Sequence, residues 1–234
     1  MPHQYSLPPE AYTIFADQQG ITAEIAKGAI EMCDAHRFTL IRDAFPHNIF
    51  DTLVTGVDQY IELAGKVEDA SIANLNRSTK LSVYANTTVD ASEEVHPLRG
   101  LLMGELIMPL CTAANSLERS RMNMGTDVEI RAFHGNICED GGRVGMHWDD
   151  ETGVAAVIGV HGIGSARLAF LNQFSIQRPL ATFDIRPNDV LLMPAQNNGY
   201  GGMYDQALHE VTNVTPNNGS RTSLAMSFVP RPTM

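Results

Sequence analysis

The chain has 234 residues, of which 44% are hydrophobic and 18% are charged. This composition is typical of globular domains and excludes a largely disordered chain. The formal net charge is −11, and the sequence contains no run of basic residues. Because a phosphate backbone is bound through clustered Lys and Arg side chains, this charge argues against a nucleic-acid partner.

Cysteine usage and hydropathy indicate where the protein works. The three cysteines, Cys33, Cys111 and Cys138, are an odd number and form no C-x-x-C pair, which argues against a disulfide framework and favours a reducing cytosol. No apolar run reaches the roughly 20 residues that a membrane-spanning helix needs. The N-terminus lacks the basic region and apolar stretch of a signal peptide. We therefore expect a cytoplasmic protein without a membrane segment.

Apolar residues in the first half of the chain recur mainly every three or four positions, which is typical of amphipathic helices. Thr22 precedes the first such pattern, and Pro46 opens the second. Both residue types are common where helices begin. In chain order, the predicted elements are a helix after Thr22, a strand over 38–42, a helix after Pro46, a strand over 80–85 and a helix over 95–119.

From about residue 126 the pattern changes to short apolar runs separated by Gly, Asn, Asp and Pro. Such alternation predicts antiparallel strands joined by tight turns, as in a sandwich or barrel. The predicted strands are Asp127–Phe133, Arg143–Trp148, Val154–Val160, Ala166–Leu171, Leu180–Asp184, Asp189–Met193, Ala207–Val211 and Thr222–Val229. We expect a single domain over 1–234, with a helix-rich N-terminal layer (1–125) on a β-core (126–234).

The most informative segment of this β-core is a His-x-Asp triplet, His147 and Asp149 on either side of Trp148. Side chains at i and i+2 of a strand point to the same face, so both can reach one metal ion. A second histidine, His209, follows in a later predicted strand. Two imidazoles and one carboxylate suit non-haem Fe(II) and leave three coordination positions open for a co-substrate and oxygen.

An Arg-x-Ser triplet follows the distal histidine. Arg221 and Ser223 also share one face of a predicted strand. A guanidinium beside a hydroxyl suits a carboxylate, which it can bind through paired, charge-assisted hydrogen bonds. Each of these elements is common when it stands alone. Their order and their placement in one predicted β-region make the combination informative.

This arrangement of His-x-Asp, distal His and Arg-x-Ser resembles the Fe(II)/2-oxoglutarate-dependent oxygenase superfamily. The resemblance covers about residues 126–230 and implies a mainly β fold with α, in which a helical N-terminal layer covers a double-stranded β-helix (jelly roll) core. It implies Fe(II), the co-substrate 2-oxoglutarate and O2 as cofactors. It assigns the iron to His147, Asp149 and His209, which are both metal ligands and catalytic residues.

The same resemblance implies that Arg221, assisted by Ser223, binds the distal carboxylate of 2-oxoglutarate. The strand with Arg131 and Phe133 is similar to the family strand that contacts the C1 carboxylate, although the segment 136–143 reads as an insertion before the His-x-Asp strand. Family halogenases lack the metal-binding carboxylate, so the presence of Asp149 favours hydroxylation or a related C–H oxidation.

The substrate expected from this combination is a small molecule, and the co-products implied are succinate and CO2. One alternative keeps the chemistry and changes the substrate to an alkylated nucleobase or a protein side chain. An alternative of another class is a cupin-like module that binds metal without 2-oxoglutarate. A cupin would normally show a His-x-His pair and an additional glutamate, and neither stands at the right place. The oligomeric state and the stereochemistry are not predicted.

Overall fold

The computed structural model describes residues 8–66, 79–85, 92–118, 120, 127–147, 154–170, 179–194, 207–213 and 219–230. The first two predicted helices are present, as α1 (Ala23–His36) and α2 (His47–Ala64). The Ile25 N–H donates to the Thr22 hydroxyl at 3.3 Å, which caps α1 as the sequence predicts. α2 follows Pro46 directly. None of the helices that the structure describes is long and apolar enough to cross a membrane.

The third predicted helix, over 95–119, is divided by one π-helical turn. It consists of α3 (His96–Leu102), the π turn Met103–Ile107 and α4 (Met108–Ser116). The Met108 N–H bonds the carbonyl of Met103, five residues back. Pro109 explains this irregularity, because its nitrogen carries no hydrogen for the carbonyl four residues earlier and its ring crowds that carbonyl.

In the described part of the chain, ten strands form one curled sheet. They are β1 (Thr13–Phe15), β2 (Thr39–Arg42), β3 (Thr79–Tyr84), β4 (Val128–His147), β5 (Val154–His161), β6 (Gly164–Phe170), β7 (Ala181–Ile185), β8 (Val190–Pro194), β9 (Ala207–Asn213) and β10 (Arg221–Pro230). Their order is β1-β2-β8-β5-β10-β4-β9-β6-β7, and β3 also pairs with β4. All neighbours are antiparallel except β1 and β2. Three strands therefore lie within the first 125 residues, beside the helices.

The long strand β4 connects the two halves of the curl. Its first part pairs with β10, and its last part, from Arg143 to His147, pairs with β9. The sequence predicted two strands separated by an insertion over 136–143, and that prediction is wrong. The segment is continuous strand because β3 pairs with it on one edge and β10 pairs with its first residues on the other.

Alternating side chains of the sheet enter two separate cores. In β8, Val190 and Leu192 pack with helix residues such as Leu53 in one cluster, which we call the helix-facing core. Leu191 enters a second cluster, which we call the inner core. The inner core joins residues from opposite ends of the strand order (Leu40 and Leu191 with Ala166, Leu168, Phe183 and Val211), so the sheet curls around it. This is the sheet-rich, curled architecture that the sequence predicts.

Candidate active site

The fold places the two predicted histidine ligands directly opposite each other. β4 ends at His147, whose Cα partner in β9 is His209. Directly opposite residues of antiparallel strands project from the same face with their Cβ atoms about 4.5–5.5 Å apart. For His147 the structure describes the backbone only. Asp149 and Trp148 lie outside the described residues, so the ligand set stays a prediction.

His209 projects into the space between the two halves of the curled sheet. It is paired with Leu168 of β6, and Val211, two residues further along β9, is paired with Ala166. Those three apolar residues all belong to the inner core. Since residues i and i+2 of a strand share a face, His209 points to the same side, and its exposed fraction is 2%.

Arg221 and Ser223 face the same interior from the other half of the curl. Leu224 and Met226 of β10 belong to the helix-facing core. Strand alternation therefore directs Arg221 and Ser223 to the opposite, inner side. Both are buried, with exposed fractions of 3% and 1%. The two residues of the predicted carboxylate site thus share one face, in accordance with the i, i+2 spacing.

The guanidinium of Arg221 crosses the interior to the start of β6. A Cβ atom built on Gly164 would lie 2.4 Å from Arg221 Nε, so the arginine occupies the space that a side chain would need there. Gly164 and Leu168 are four residues apart, or about 13 Å along an extended strand, and Leu168 is the partner of His209. The carboxylate and metal ends of the predicted site therefore lie along one strand.

The electrostatics of Arg221 are unusual for a buried residue. Its Nε and Nη2 atoms have no hydrogen-bond partner within the part of the chain that the structure describes. Burial lowers the pKa of the guanidinium to about 10, and the nearby Cys138 thiol opposes that change only weakly. A buried charge without an acceptor is costly. The orphaned nitrogens therefore fit an anionic ligand such as a carboxylate, which accepts hydrogen bonds from both.

The structure does not bring Phe133 together with the histidines and Arg221. Its ring is in the helix-facing core, 4.8 Å from the Tyr60 ring in an edge-on contact and 5.5 Å from Arg99 Cζ. Phe133 is the Cα partner of Met226, which enters the same core. This placement gives Phe133 a packing role. The Arg131 side chain lies outside the described part, so its contact with a carboxylate stays a prediction.

Sequence reasoning overlooked residues of β4 that do share the inner face. Asn136 and Cys138 are the Cα partners of Ser223 and Arg221. Burial raises the pKa of the Cys138 thiol, although the neighbouring Arg221 charge lowers it in part. Both residues lie in the segment that was interpreted as an insertion. The strand alternation, continued beyond Phe133, predicts that Asn136 and Cys138 lie on the inner face.

Comparison with known proteins identifies the fold. No protein-family model matches the sequence, and no curated protein does. Among solved structures, a Pseudomonas putida prolyl-4-hydroxylase is similar, with 14% identity, a TM-score of 0.56, and coverage of 88% of this chain and 100% of that one. An oxidoreductase of the 2OG-Fe(II) oxygenase family from Burkholderia pseudomallei has 14% identity and a TM-score of 0.53, with coverage of 87% and 89%.

A third similar structure is HygX from Streptomyces hygroscopicus, solved with nickel, 2-oxoglutarate and hygromycin B bound. Its identity is 14% and its TM-score 0.55, with coverage of 87% of this chain and 86% of that one. The chain therefore has the same jelly-roll fold as these oxygenase structures, which is the fold that the sequence predicts.

Proposed function

We propose that the protein is an Fe(II)- and 2-oxoglutarate-dependent oxygenase that hydroxylates a C–H bond of a small molecule and releases succinate and CO2. The observation that carries this proposal is the buried Arg221, whose two orphaned nitrogens lie on the same inner side as the His147–His209 pair. A cupin-like module without 2-oxoglutarate would have no use for this uncompensated charge.

Fe(II) would be held by His147, Asp149 and His209. The cross-strand pairing of the histidines supports this assignment, because two imidazoles on one face are within reach of a single ion. Bound Fe(II) and 2-oxoglutarate together supply the O2-dependent oxidation. Burial of His209 keeps bulk water from its side of the site and fixes the orientation of the imidazole.

Arg221 and Ser223 would bind the distal carboxylate of 2-oxoglutarate. The guanidinium fork donates parallel hydrogen bonds to a carboxylate, and the hydroxyl donates a further one. Binding would neutralise the buried charge and give the orphaned Nε and Nη2 atoms an acceptor. The same residues would thereby orient the co-substrate with its 2-oxo acid end towards the histidines.

A small-molecule substrate is supported by the hygromycin B bound to the similar HygX structure. The net charge of −11 argues against a nucleic-acid substrate. A protein side chain is the second candidate, and the similarity to a prolyl-4-hydroxylase favours it. All three cysteines are buried, and none forms a disulfide within the described residues, which supports the proposed cytoplasmic location.

The proposal is tested by anaerobic titration of the purified protein with Fe(II), with and without 2-oxoglutarate. We expect a visible iron-to-ketoacid absorption band that requires both additions. Quenching of the single tryptophan, Trp148, which stands between two proposed ligands in the sequence, should report metal binding. Iron binding without any effect of 2-oxoglutarate would favour the cupin-like alternative.

The substrate class is tested separately, in air with Fe(II) and 2-oxoglutarate, by comparing the succinate formed from 2-oxoglutarate when hygromycin B, a proline-containing peptide or a methylated oligonucleotide is added. A small-molecule oxygenase should release more succinate with hygromycin B or related compounds than without substrate. Stimulation only by the peptide would favour the second candidate.

A further inference from the structure

We propose that Gly164 and Asn213 are positioning residues that fix the Arg221 guanidinium for its carboxylate, so that they control the affinity for the dicarboxylate co-substrate without contacting the metal. This inference rests on the proposed function. It concerns two residues from neighbouring strands, because Gly164 of β6 is the Cα partner of Asn213 of β9.

Gly164 provides the space in which the far end of the arginine lies. An added Cβ would lie 2.4 Å from Arg221 Nε, 2.6 Å from Arg221 Cδ and 3.0 Å from the Thr212 carbonyl oxygen. Contacts this short do not persist in a packed interior. The backbone of Gly164 is not in the left-handed region, so any residue can adopt its conformation. The glycine is therefore required by the close approach of Arg221 and of the Thr212 carbonyl oxygen, and not by its own backbone conformation.

Asn213 holds in place the backbone next to Arg221, from which the arginine side chain extends. Its Nδ2 donates to the carbonyl oxygens of Cys138, at 2.9 Å, and Gly219, at 3.0 Å. Cys138 is the Cα partner of Arg221, and Gly219 precedes Arg221 by two residues. The buried amide thus joins β9 to β4 and to the segment that leads into β10. Buried amides with both bonds made hold their partners rigidly.

These two contacts connect the carboxylate end of the site to its metal end. Asn213 follows His209 by four residues on β9. On β6, Gly164 likewise precedes Leu168, the Cα partner of His209, by four residues. Arg221 itself belongs to the other half of the curled sheet. Gly164 and Asn213 therefore set where the guanidinium lies relative to the strands that carry His209, and a misplaced guanidinium would not reach a carboxylate whose other end is bound to the metal.

The test compares Gly164→Ala with wild type in the full-length, Ni(II)-loaded protein. We expect the Kd for 2-oxoglutarate to rise about tenfold or more, since contacting residues couple strongly, while the Kd for Ni(II) stays unchanged. Asn213→Ala should change the two constants in the same way. Gly100→Ala is the matched control, because a Cβ there meets nothing within 4 Å, and it should leave both constants unchanged.

A double-mutant cycle separates positioning from general damage to the fold. Arg221→Ala removes the two closest atoms that the new Cβ would contact and leaves the 3.0 Å contact with the Thr212 carbonyl oxygen, so Gly164→Ala should lower Tm clearly less in the Arg221→Ala background than in the wild-type background. The same decrease in both backgrounds would contradict the inference, as would unchanged 2-oxoglutarate affinity in Gly164→Ala. Failure of the wild type to bind 2-oxoglutarate at all would instead contradict the proposed function, and the positioning role with it.

Discussion

The two sides of the β4–β10 pair treat buried polar groups in opposite ways, and two arginines illustrate the contrast. On the helix-facing side, Arg99 Nη2 donates to the Ile130 carbonyl at 2.7 Å, and its guanidinium stacks over Phe133. Tyr60 donates to the Phe133 carbonyl at 2.8 Å. On the inner side, Arg221 is more deeply buried, and two of its nitrogens have no acceptor among the residues that the structure describes.

This difference distinguishes a structural arginine from one that awaits a ligand. Buried polar groups are almost always hydrogen-bonded in folded proteins, because an unmet donor costs about 1–3 kcal/mol. Arg99 follows that rule, and its bonds hold α3 against β4. Arg221, which lies on the same face as His209, departs from this rule within the described residues. Stability alone would not retain such a residue, and the contrast therefore supports the proposal that the inner side of the sheet binds a ligand.

The largest effect is expected from His209→Ala. Loss of a direct ligand should weaken Fe(II) binding by more than the roughly 10–100-fold that loss of an outer hydrogen-bond partner causes, and succinate formation should disappear. Isothermal titration under nitrogen measures the affinity. His161→Ala is the control, since His161 is exposed and its Nε2 lies 3.2 Å from Asp58 Oδ1 of α2. Equal iron affinity in His209→Ala and wild type would refute the ligand assignment.

The next largest effect is expected from Arg221→Met, which keeps the length of the side chain and removes the charge. Truncating one partner of a buried charge pair costs about 2–5 kcal/mol, so the Kd for 2-oxoglutarate should rise by at least about 30-fold. Fe(II) affinity should remain within about twofold of wild type. Arg99→Met is the control. It should leave the Kd for 2-oxoglutarate unchanged, because Arg99 is on the helix-facing side.

The same Arg221→Met substitution should stabilise the protein in the absence of 2-oxoglutarate. Even a buried ion pair can be replaced by apolar side chains with a gain of up to about 4 kcal/mol, and the Arg221 guanidinium has no acceptor for two of its nitrogens among the described residues. The sign follows from the pKa, which burial lowers to about 10 in the folded protein. The penalty is full below that pH and is lost as the pH rises above it towards the ordinary pKa of an arginine. Urea unfolding at pH 7 and pH 9 should therefore give the same gain, and a loss of stability would contradict the contrast.

A smaller effect of opposite sign is expected from Arg99→Met. The Ile130 carbonyl would lose its donor and Phe133 its stacked cation, which together should lower the free energy of unfolding by about 1–3 kcal/mol. Urea unfolding measures this change. The two arginine-to-methionine variants thus form a matched pair. If both shifted the midpoint in the same direction, the distinction between the two sides of the sheet would be lost.

Local signals in the sequence were sufficient for the helices and for several strands. Thr22 and Pro46 marked the starts of α1 and α2, and the predicted strand Asp189–Met193 corresponds to β8 within one residue. The three-residue strand β1 was missed, because it is too short to show a period and exists through its parallel pairing with β2. Strand pairing of this kind depends on distant partners, which a periodicity in one segment does not contain.

Dependence on distant partners also explains which residues of the candidate site the sequence does not predict. Motif order alone predicts His147, His209, Arg221 and Ser223 as site residues, because the chemistry restricts the residue types. Gly164 lies two residues before the predicted strand Ala166–Leu171, although it is the first residue of β6. Its role appears only when Arg221 reaches across from the other half of the curl. An isolated glycine in a strand signals a close approach by another group, but not which group.

The most direct test of the central claim is calorimetric titration of 2-oxoglutarate into the Ni(II)-loaded protein, compared between wild type and Arg221→Met. We predict saturable binding by the wild type that requires the metal and is weakened at least about 30-fold by the substitution. Equally tight binding by both proteins would contradict the claim that the orphaned guanidinium of Arg221 is the carboxylate site.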